Sequence, residues 1–525
     1  MKSAILKILS LSLVLGGIAL SEQDQIIETQ RGSEVLAPEE GLSMAIATSS
    51  PIAQQHVVTG IAHLLSSWDE AAYVEFKQAL ELDPNCLMAH WGLVFSCIQL
   101  PTDHITDRNT SLQRINEIVE LGGENIPQRE LEYLKALNQL LRQENRLAAL
   151  VFADIADQWP RDPWAPLFRC IVERDGFKAS GSPNEGQSQA REHIRIYLQK
   201  HPDTPVAHFI KALLEETNPS IEAETIQSAN QAVMCNPQSA TAHLLLGCLL
   251  FHQGEYESAI NHFQTTEELA SKWQKQKQLT IADNDLYFKA ATWRSVALSC
   301  LGKDSEAIKL ARNLMRLPVD IKRPQSRGTA FQLWEIQSLP LRVSLGQITT
   351  PSQKALNELM PKSLKGLPAS LSPAIPLLCK QALVARMEAK DQLGGLRNTC
   401  QSISKLTEAL TNGQKEAEKE GTLSFWARSV RLASRLEVES QAILYPNSAT
   451  ILLQKAEEQQ TIESLLMPPS LPYPAEWTSA QYFSKQKNWR QCLESCEMGL
   501  KRFPKHKGLE QLRQRAQTHL KNTNS

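Results

Sequence analysis

The side chains able to do chemistry come first. His56 and His63 are seven residues apart, on one face of a helix, and His90 follows the first helical pair. Neighbouring helix axes lie ~8–10 Å apart, so long side chains from two helices can converge on one ion. A metal site from these three imidazoles competes with a plainer expectation, that each ring packs flat and hydrogen-bonds a nearby carbonyl. Asp283-Asn284-Asp285 starts like a calcium loop but lacks its turn glycine and distal glutamate, so a helix N-cap is expected instead. Glu215-Glu216 and Glu267-Glu268 are adjacent in sequence and point to different helix faces, which favours solvated charges over a general acid–base pair. The 10 cysteines fall at irregular spacings, mostly in apolar helical runs, and form no CxxC pair. They read as small buried hydrophobes. Cys492 and Cys496 share a helix face, where regular geometry does not readily close a disulfide. HExxH, GxSxG, GxGxxG and GxxxxGK[ST] are all absent from the sequence. No catalytic residue, metal or cofactor is therefore expected. Two rivals stand: a hydrolase or lyase whose site is assembled from distant residues, and a histidine-based metal- or ligand-binding protein.

What positions these residues is a helical chain. The sequence has 525 residues, 42% of them hydrophobic and 21% charged, too apolar for disorder. Only 23 are glycine and 27 are proline, which suits many helices with punctuated ends. The net charge of -2 gives no basic footprint for nucleic acid. Residues Lys2 and Lys7 precede an apolar run from Ile8 to Leu20, and polar Glu22-Gln23-Asp24-Gln25 follows. This is the layout of a secretory signal peptide, with Ala19 and Ser21 at the -3 and -1 positions of a cut. The run is shorter than the ~20 residues that span a membrane. The chain is expected in the periplasm or outside the cell, without a lipid anchor and without stable membrane insertion once the signal is removed.

Internal periodicity carries the fold. Gly60, Ala72, Phe76, Ala79 and Pro84 place small residues where two antiparallel helices touch, a bulky ring between them and a helix stop. Ala242, Gly247, Gly254, Tyr256, Ala259 and Phe263 repeat the arrangement. Leu298, Gly302 and Ala307 begin a weaker copy, Ala480, Trp489, Cys492, Gly499 and Pro504 a degenerate one, and Leu137, Ala149, Ala156 and Pro160 a fifth. The pattern resembles the tetratricopeptide repeat (TPR), a 34-residue helix-turn-helix unit, over about half the chain. In this register His56 and His243 are equivalent. The copy with Asp83-Pro84, Cys86, Met88-Ala89 and Trp91-Gly92 is similar to multi-repeat TPR proteins exported by bacteria.

The resemblance implies an all-α superhelix of stacked antiparallel helix pairs with a concave groove, and a role in binding proteins or peptides rather than in chemistry. By position it puts Trp91, Phe95, Phe251, His252, Trp477 and Gln481 on that groove, against the alternative that aromatic residues at helical spacing fill the core. The Lys, Arg and Asn set that grips a peptide C-terminus in some TPR domains is missing. Helices are also expected over Glu130–Arg142, Ser228–Met234, Asp285–Cys300 and Ile375–Leu393. The organisation follows: signal peptide 1–21, polar lead-in 22–45, helical array 46–317, a proline-rich connection 318–376 with short helices at Phe331–Trp334 and Ala355–Met360, and C-terminal helical repeats 377–525 closed by a capping helix from about Lys507 to Leu520. Partners are expected to be other proteins or peptides. Lys272-Trp273-Gln274-Lys275-Gln276-Lys277 reads as an ordinary charged helix surface rather than a contact for nucleic acid.

Overall fold

A computed structural model describes residues 41–98, 104–122, 125–178, 180–323, 326–347, 352–360, 374–388, 393–420, 424–458, 464 and 466–524. The expected signal peptide lies outside them. Two compact units divide at Ala242/His243. The described residues of the first form α1 Pro51–Leu65, α2 Asp69–Leu82, α3 Leu87–Ser96, α4 Ile105–Gly122, α5 Gln128–Leu141, α6 Asn145–Gln158, α7 Ala165–Glu173, α8 Glu185–Lys200, α9 Pro205–Leu213 and α10 Ala223–Cys235. The second carries α11 Ala240–His252, in which the division falls, then α12 Tyr256–Gln276, α13 Asp285–Cys300, α14 Asp304–Met315, α15 Arg327–Trp334, α16 Leu339–Leu345 and α17 Gln353–Leu359. It ends with α18 Ala374–Glu388, α19 Leu393–Glu420, α20 Ser424–Leu444, α21 Ala449–Glu458, α22 Ala475–Lys485, α23 Trp489–Arg502 and α24 Lys507–Asn524. Among the described residues there is no strand, only an isolated bridge between Phe177 and Pro183. The fold is all-α and TPR-like, built from stacked antiparallel helix pairs.

The turns show that the sequence copies are one structural unit. Ser67, Gln143, Gly254, Gly302 and Lys487 each have φ between 58° and 76° and each joins the two helices of a copy. Around each, the next amide reaches back to the same carbonyl: Trp68 to His63, Glu144 to Gln139, Glu255 to Leu250, Lys303 to Leu298 and Asn488 to Phe483, all at 2.9 Å. This left-handed cap satisfies the last carbonyls of the first helix and reverses the chain. Only two of the five positions hold glycine, so identity matching undercounts the copies.

Packing explains the small residues. A Cβ built on Gly60 would lie 2.8 Å from the Phe76 ring, and one on Gly92 would lie 2.2 Å from it. Phe76 is fully buried between the two backbones, a close approach that any side chain at Gly92 would forbid.

The second unit closes on itself. A Cβ built on Gly254 would lie 2.6 Å from the Pro504 carbonyl, Tyr256 donates its hydroxyl to that carbonyl (2.7 Å), and Lys505 pairs with Glu255 at 2.5 Å. The first and last hairpins of this unit thus meet through their turns. α24 packs over Trp477, where a Cβ on Gly508 would lie 2.7 Å from the indole. Short helices α15 and α17 stand where proline density excluded a long one, and Pro340 sits in the first turn of α16. They are pinned from inside: the Glu335 carboxylate accepts from Arg342 (2.9 Å) and from Arg428 of α20 (3.0 Å), and all three are at most 5% exposed. Burial pushes that carboxyl up, but the two guanidiniums outweigh it and hold it below the ordinary range.

None of the 10 cysteines is in a disulfide, and only Cys235 is exposed. Burial pushes the Cys86 and Cys97 thiols up to about 12, which removes the nucleophilic thiolate at neutral pH.

Candidate segment-binding track

The most developed recognition geometry in the first unit lies along the helix ends. Residues 41–50 contain no charge and no proline. They lead into α1 with bends at Ala47 and Ser49, with Leu42 and Met44 buried, Ile46, Thr48 and Ser50 half-buried, and Ser43, Ala45, Ala47 and Ser49 exposed. That alternation is the two-residue period of an extended chain with one face down. Ser50 ends it by capping α1, its hydroxyl accepting from the Ala53 amide at 3.2 Å ahead of Pro51.

Four side chains at the ends of three helices hold this strap. Trp164, just ahead of α7, donates its indole N–H to the Leu42 carbonyl (2.7 Å). Arg129 of α5 donates to the Ala45 carbonyl (2.5 Å), and its neighbour Glu130 accepts from the Ala47 amide (2.6 Å). Asp83, the C-cap of α2, accepts from the Thr48 hydroxyl (2.6 Å) and the Ser49 amide (3.2 Å). Carbonyls are read at one end and amides at the other, which fixes the strap's direction. The strap thus runs from the N-terminal end of α7, past that of α5, to the C-terminal end of α2.

The receiving side chains are themselves positioned. Asp162 accepts from the Trp164 and Ala165 amides at 2.8 and 3.0 Å and from the Tyr133 hydroxyl at 2.9 Å, which sets the start of α7. Burial holds the Asp162 carboxyl above its ordinary value. Its second oxygen stands 4.0 Å from Arg129 Nε, and neither of those atoms has a hydrogen-bond partner. At Asp83 burial raises the carboxyl, yet hydrogen bonds from Thr48, Asn85 and Ser49 outweigh it and leave the group below its ordinary value.

The expected groove residues are placed differently. Trp91 is fully buried, its indole donating to the Tyr133 carbonyl (2.8 Å) among Phe95, Tyr133 and Phe168. Phe251 is buried among Tyr256, Trp293 and Phe503, and Trp477 lies under α24. Those three rings offer no surface to a ligand, because aromatic residues at helical spacing fill the space between hairpins. Phe95, His252 and Gln481 keep partial exposure. His252 sits edge-on to Phe251 and Trp293, and Gln481 accepts from Arg386.

The three histidines do not converge. His56 Nδ1 lies 2.7 Å from Glu75, His90 touches Ser111 and the Pro84 carbonyl at 3.1 and 3.0 Å, and His63 packs edge-on to Trp68. Among the described residues no group of three or more His, Cys, Asp or Glu side chains is placed to hold a metal. The equivalence of His56 and His243 holds: His243 faces His262 at 2.9 Å just as His56 faces Glu75. Asn284 caps α13 by accepting from the Tyr287 amide at 3.2 Å.

The glutamate pairs correct the expectation of solvated charges. In each pair one member is buried: Glu215 bonds Arg191 at 2.9 Å, and Glu267 takes both arms of Arg294 at 2.7 and 2.8 Å. Burial pushes Glu267 up to about 7 against the pull of Arg294. Two open recesses border these pairs. One of about 290 Å³ is lined by Arg191, Lys211, Glu215 and Glu224, and one of about 540 Å³ by Glu267, Lys272, Tyr287 and Arg294. In the first, Lys211 pairs with Glu224 at 2.6 Å and Arg191 with Glu215 at 2.9 Å.

Leu42, Met44, Arg129, Glu130 and Trp164 were invisible as a set in the sequence. The one local signal is the alternation of large apolar residues at 42, 44 and 46.

No family model and no curated protein matches the chain. Solved structures that align with it include the crystal structure of the P58(IPK) TPR domain, at 11% identity, covering 90% of this chain and 99% of that one, with a TM-score of 0.21. The human IFIT1 dimer with PPP-AAAA aligns at 13% identity over 84% of this chain and 94% of that one, with a TM-score of 0.29. The structure of Naa15/Naa10 bound to HypK-THB aligns at 10% identity over 89% and 86%, with a TM-score of 0.21. Such loose superpositions carry no argument about partner or ligand. The assignment of the fold rests on the hairpins and turns above.

Proposed function

We propose that this chain is a non-catalytic, exported scaffold that binds segments of other proteins. The observation that supports it is the strap: the first unit holds an extended stretch of polypeptide by its main chain, with direction set and alternate side chains buried. Recognition of that kind is what peptide binding needs, since main-chain bonds give affinity and side-chain pockets give selectivity. The partly exposed Phe95, His252 and Gln481 extend the proposed binding surfaces within their own units. The charge of -2 favours protein over nucleic acid partners.

Export rests on the first 21 residues and is checked by sequencing the N-terminus of the mature chain, which should begin at Glu22. Binding is checked by cross-linking in the cell envelope, with cross-links to protein expected from the ends of α2, α5 and α7. Turnover in a broad substrate screen, at the purified chain's own concentration and lost on a single substitution, would overturn the non-catalytic reading.

A further inference from the structure

We infer that the track under residues 42–49 is a docking site for an extended segment of another chain, and that the strap is its resident occupant and internal competitor. The inference rests on the scaffold reading above and names the ligand: an uncharged, extended segment with large apolar side chains at every second position and a hydroxyl residue at its C-terminal end.

Three observations carry it. First, the contacts at Leu42, Ala45, Ala47 and Ser49 reach main-chain carbonyls and amides, atoms that every polypeptide has. Second, selectivity comes only from the two buried side chains, Leu42 and Met44, and from the Thr48 hydroxyl on Asp83. Third, the receiving end at α7 is fixed by bonds that do not involve the strap: Asp162 accepts from the Tyr133 hydroxyl and from the amides of Trp164 and Ala165, which sets the backbone that carries the Trp164 indole. Emptying the track would therefore leave the Trp164 indole in place without the carbonyl that it reaches, a costly state that a second segment relieves.

The strap has an advantage over any rival. It is joined without a spacer to α1 through Ser50, and short tethers give effective concentrations on the order of millimolar. A free segment of equal intrinsic affinity binds the intact chain only at comparable concentration. A partner must either fill the two side-chain positions better or arrive after the strap is drawn off.

The test uses a fluorescent peptide of residues 41–50 and the full chain, unmodified and with Leu42→Ser and Met44→Ser together. The account predicts at least tenfold tighter binding to the doubly substituted chain. Arg129→Met in that background should weaken binding about tenfold. A control peptide with Leu42 and Ser43 exchanged, and Met44 and Ala45 exchanged, should not bind. Equal affinity for both chains, or no binding to a doubly substituted chain of native helix content, would overturn the inference. Should that chain not fold, millimolar peptide added to the unmodified chain should accelerate exchange of the Ala47 amide, and an unchanged rate overturns it equally. A chain that captures protein partners yet rejects the peptide loses this inference and keeps the scaffold reading. A chain with no saturable protein ligand loses both.

Discussion

The same register position carries opposite chemistry in the two units. In the first, His56 faces the carboxylate of Glu75 (2.7 Å), and His104 and His193 likewise face Glu70 and Glu173 at 3.2 and 2.7 Å. In the second, His243 faces another imidazole, His262, while His506 is shut in beside Trp477 and Phe503. Burial pushes His262, His252 and His506 down to about 4, with His243 adding to the effect at His262. His90 of the first unit, which bonds Ser111 and the Pro84 carbonyl rather than a carboxylate, is held down by burial as well, so the contrast lies in the carboxylates beside His56, His104 and His193. The difference extends to architecture: the first unit holds an extended segment across its helix ends, whereas the second joins its own first and last turns. One repeat thus builds a receiving surface and a closed body, and what separates them is what the helix ends meet.

The largest expected effect is on the closed unit. Glu335→Ala leaves Arg342 and Arg428 buried without their carboxylate and should cost about 3–5 kcal/mol. Urea denaturation should show the loss in the transition of the second unit alone; a change below about 1 kcal/mol would mean the guanidiniums find other partners.

Acid should follow. A histidine with a folded pKa near 4 and an unfolded value near 6.5 is fully stabilising above pH 6.5. That contribution falls away between about pH 6.5 and 4, because only the unfolded chain takes up the proton. For His506 alone, 2% exposed, this amounts to about 3 kcal/mol. The second unit should therefore lose its denaturation midpoint before the first as pH falls, and His506→Gln should flatten its pH dependence. If the first unit acidifies out earlier, the comparison is wrong.

Much of this comparison was legible in the sequence and part was not. Hairpins at Gly60 and Gly247 could be read because a small residue and the ring it admits, Phe76 or Phe263, lie 16 residues apart, within one helix pair. Helices expected at Glu130–Arg142, Ser228–Met234 and Asp285–Cys300 lie in α5, α10 and α13 for the same local reason. Of the expected Ile375–Leu393 helix, α18 holds the part up to Glu388; residues 389–392 lie outside the described residues, and Leu393 begins α19. The strap could not be read. Its partners Asp83, Glu130 and Trp164 stand 35, 83 and 122 residues away from the groups that they bind, and nothing local marks Arg129 as a receiver. The buried members of the glutamate pairs were missed because their arginines, Arg191 and Arg294, lie on other helices.

The receiving surface should respond more gently. Trp164→Phe keeps most of the ring volume but removes the N–H that reaches Leu42, for a loss of about 1 kcal/mol in the first unit. Asp83→Asn should cost about as much and should weaken the pH dependence below pH 4, since the folded carboxyl sits below its ordinary value.

The smallest effects test the shared turn. Lys487→Gly and Gln143→Gly relieve a left-handed backbone and should stabilise their own units by about 1 kcal/mol or less. Gly254→Ala should do the reverse, with the added contact of its Cβ at 2.6 Å from the Pro504 carbonyl.

Amide hydrogen exchange across residues 41–50 of the full chain tests the central claim most directly. The account predicts slow exchange at Ala47 and Ser49, whose amides face Glu130 and Asp83, and fast exchange at Ala45, whose carbonyl alone is held. Free-chain rates at all three would contradict it and remove the docking track.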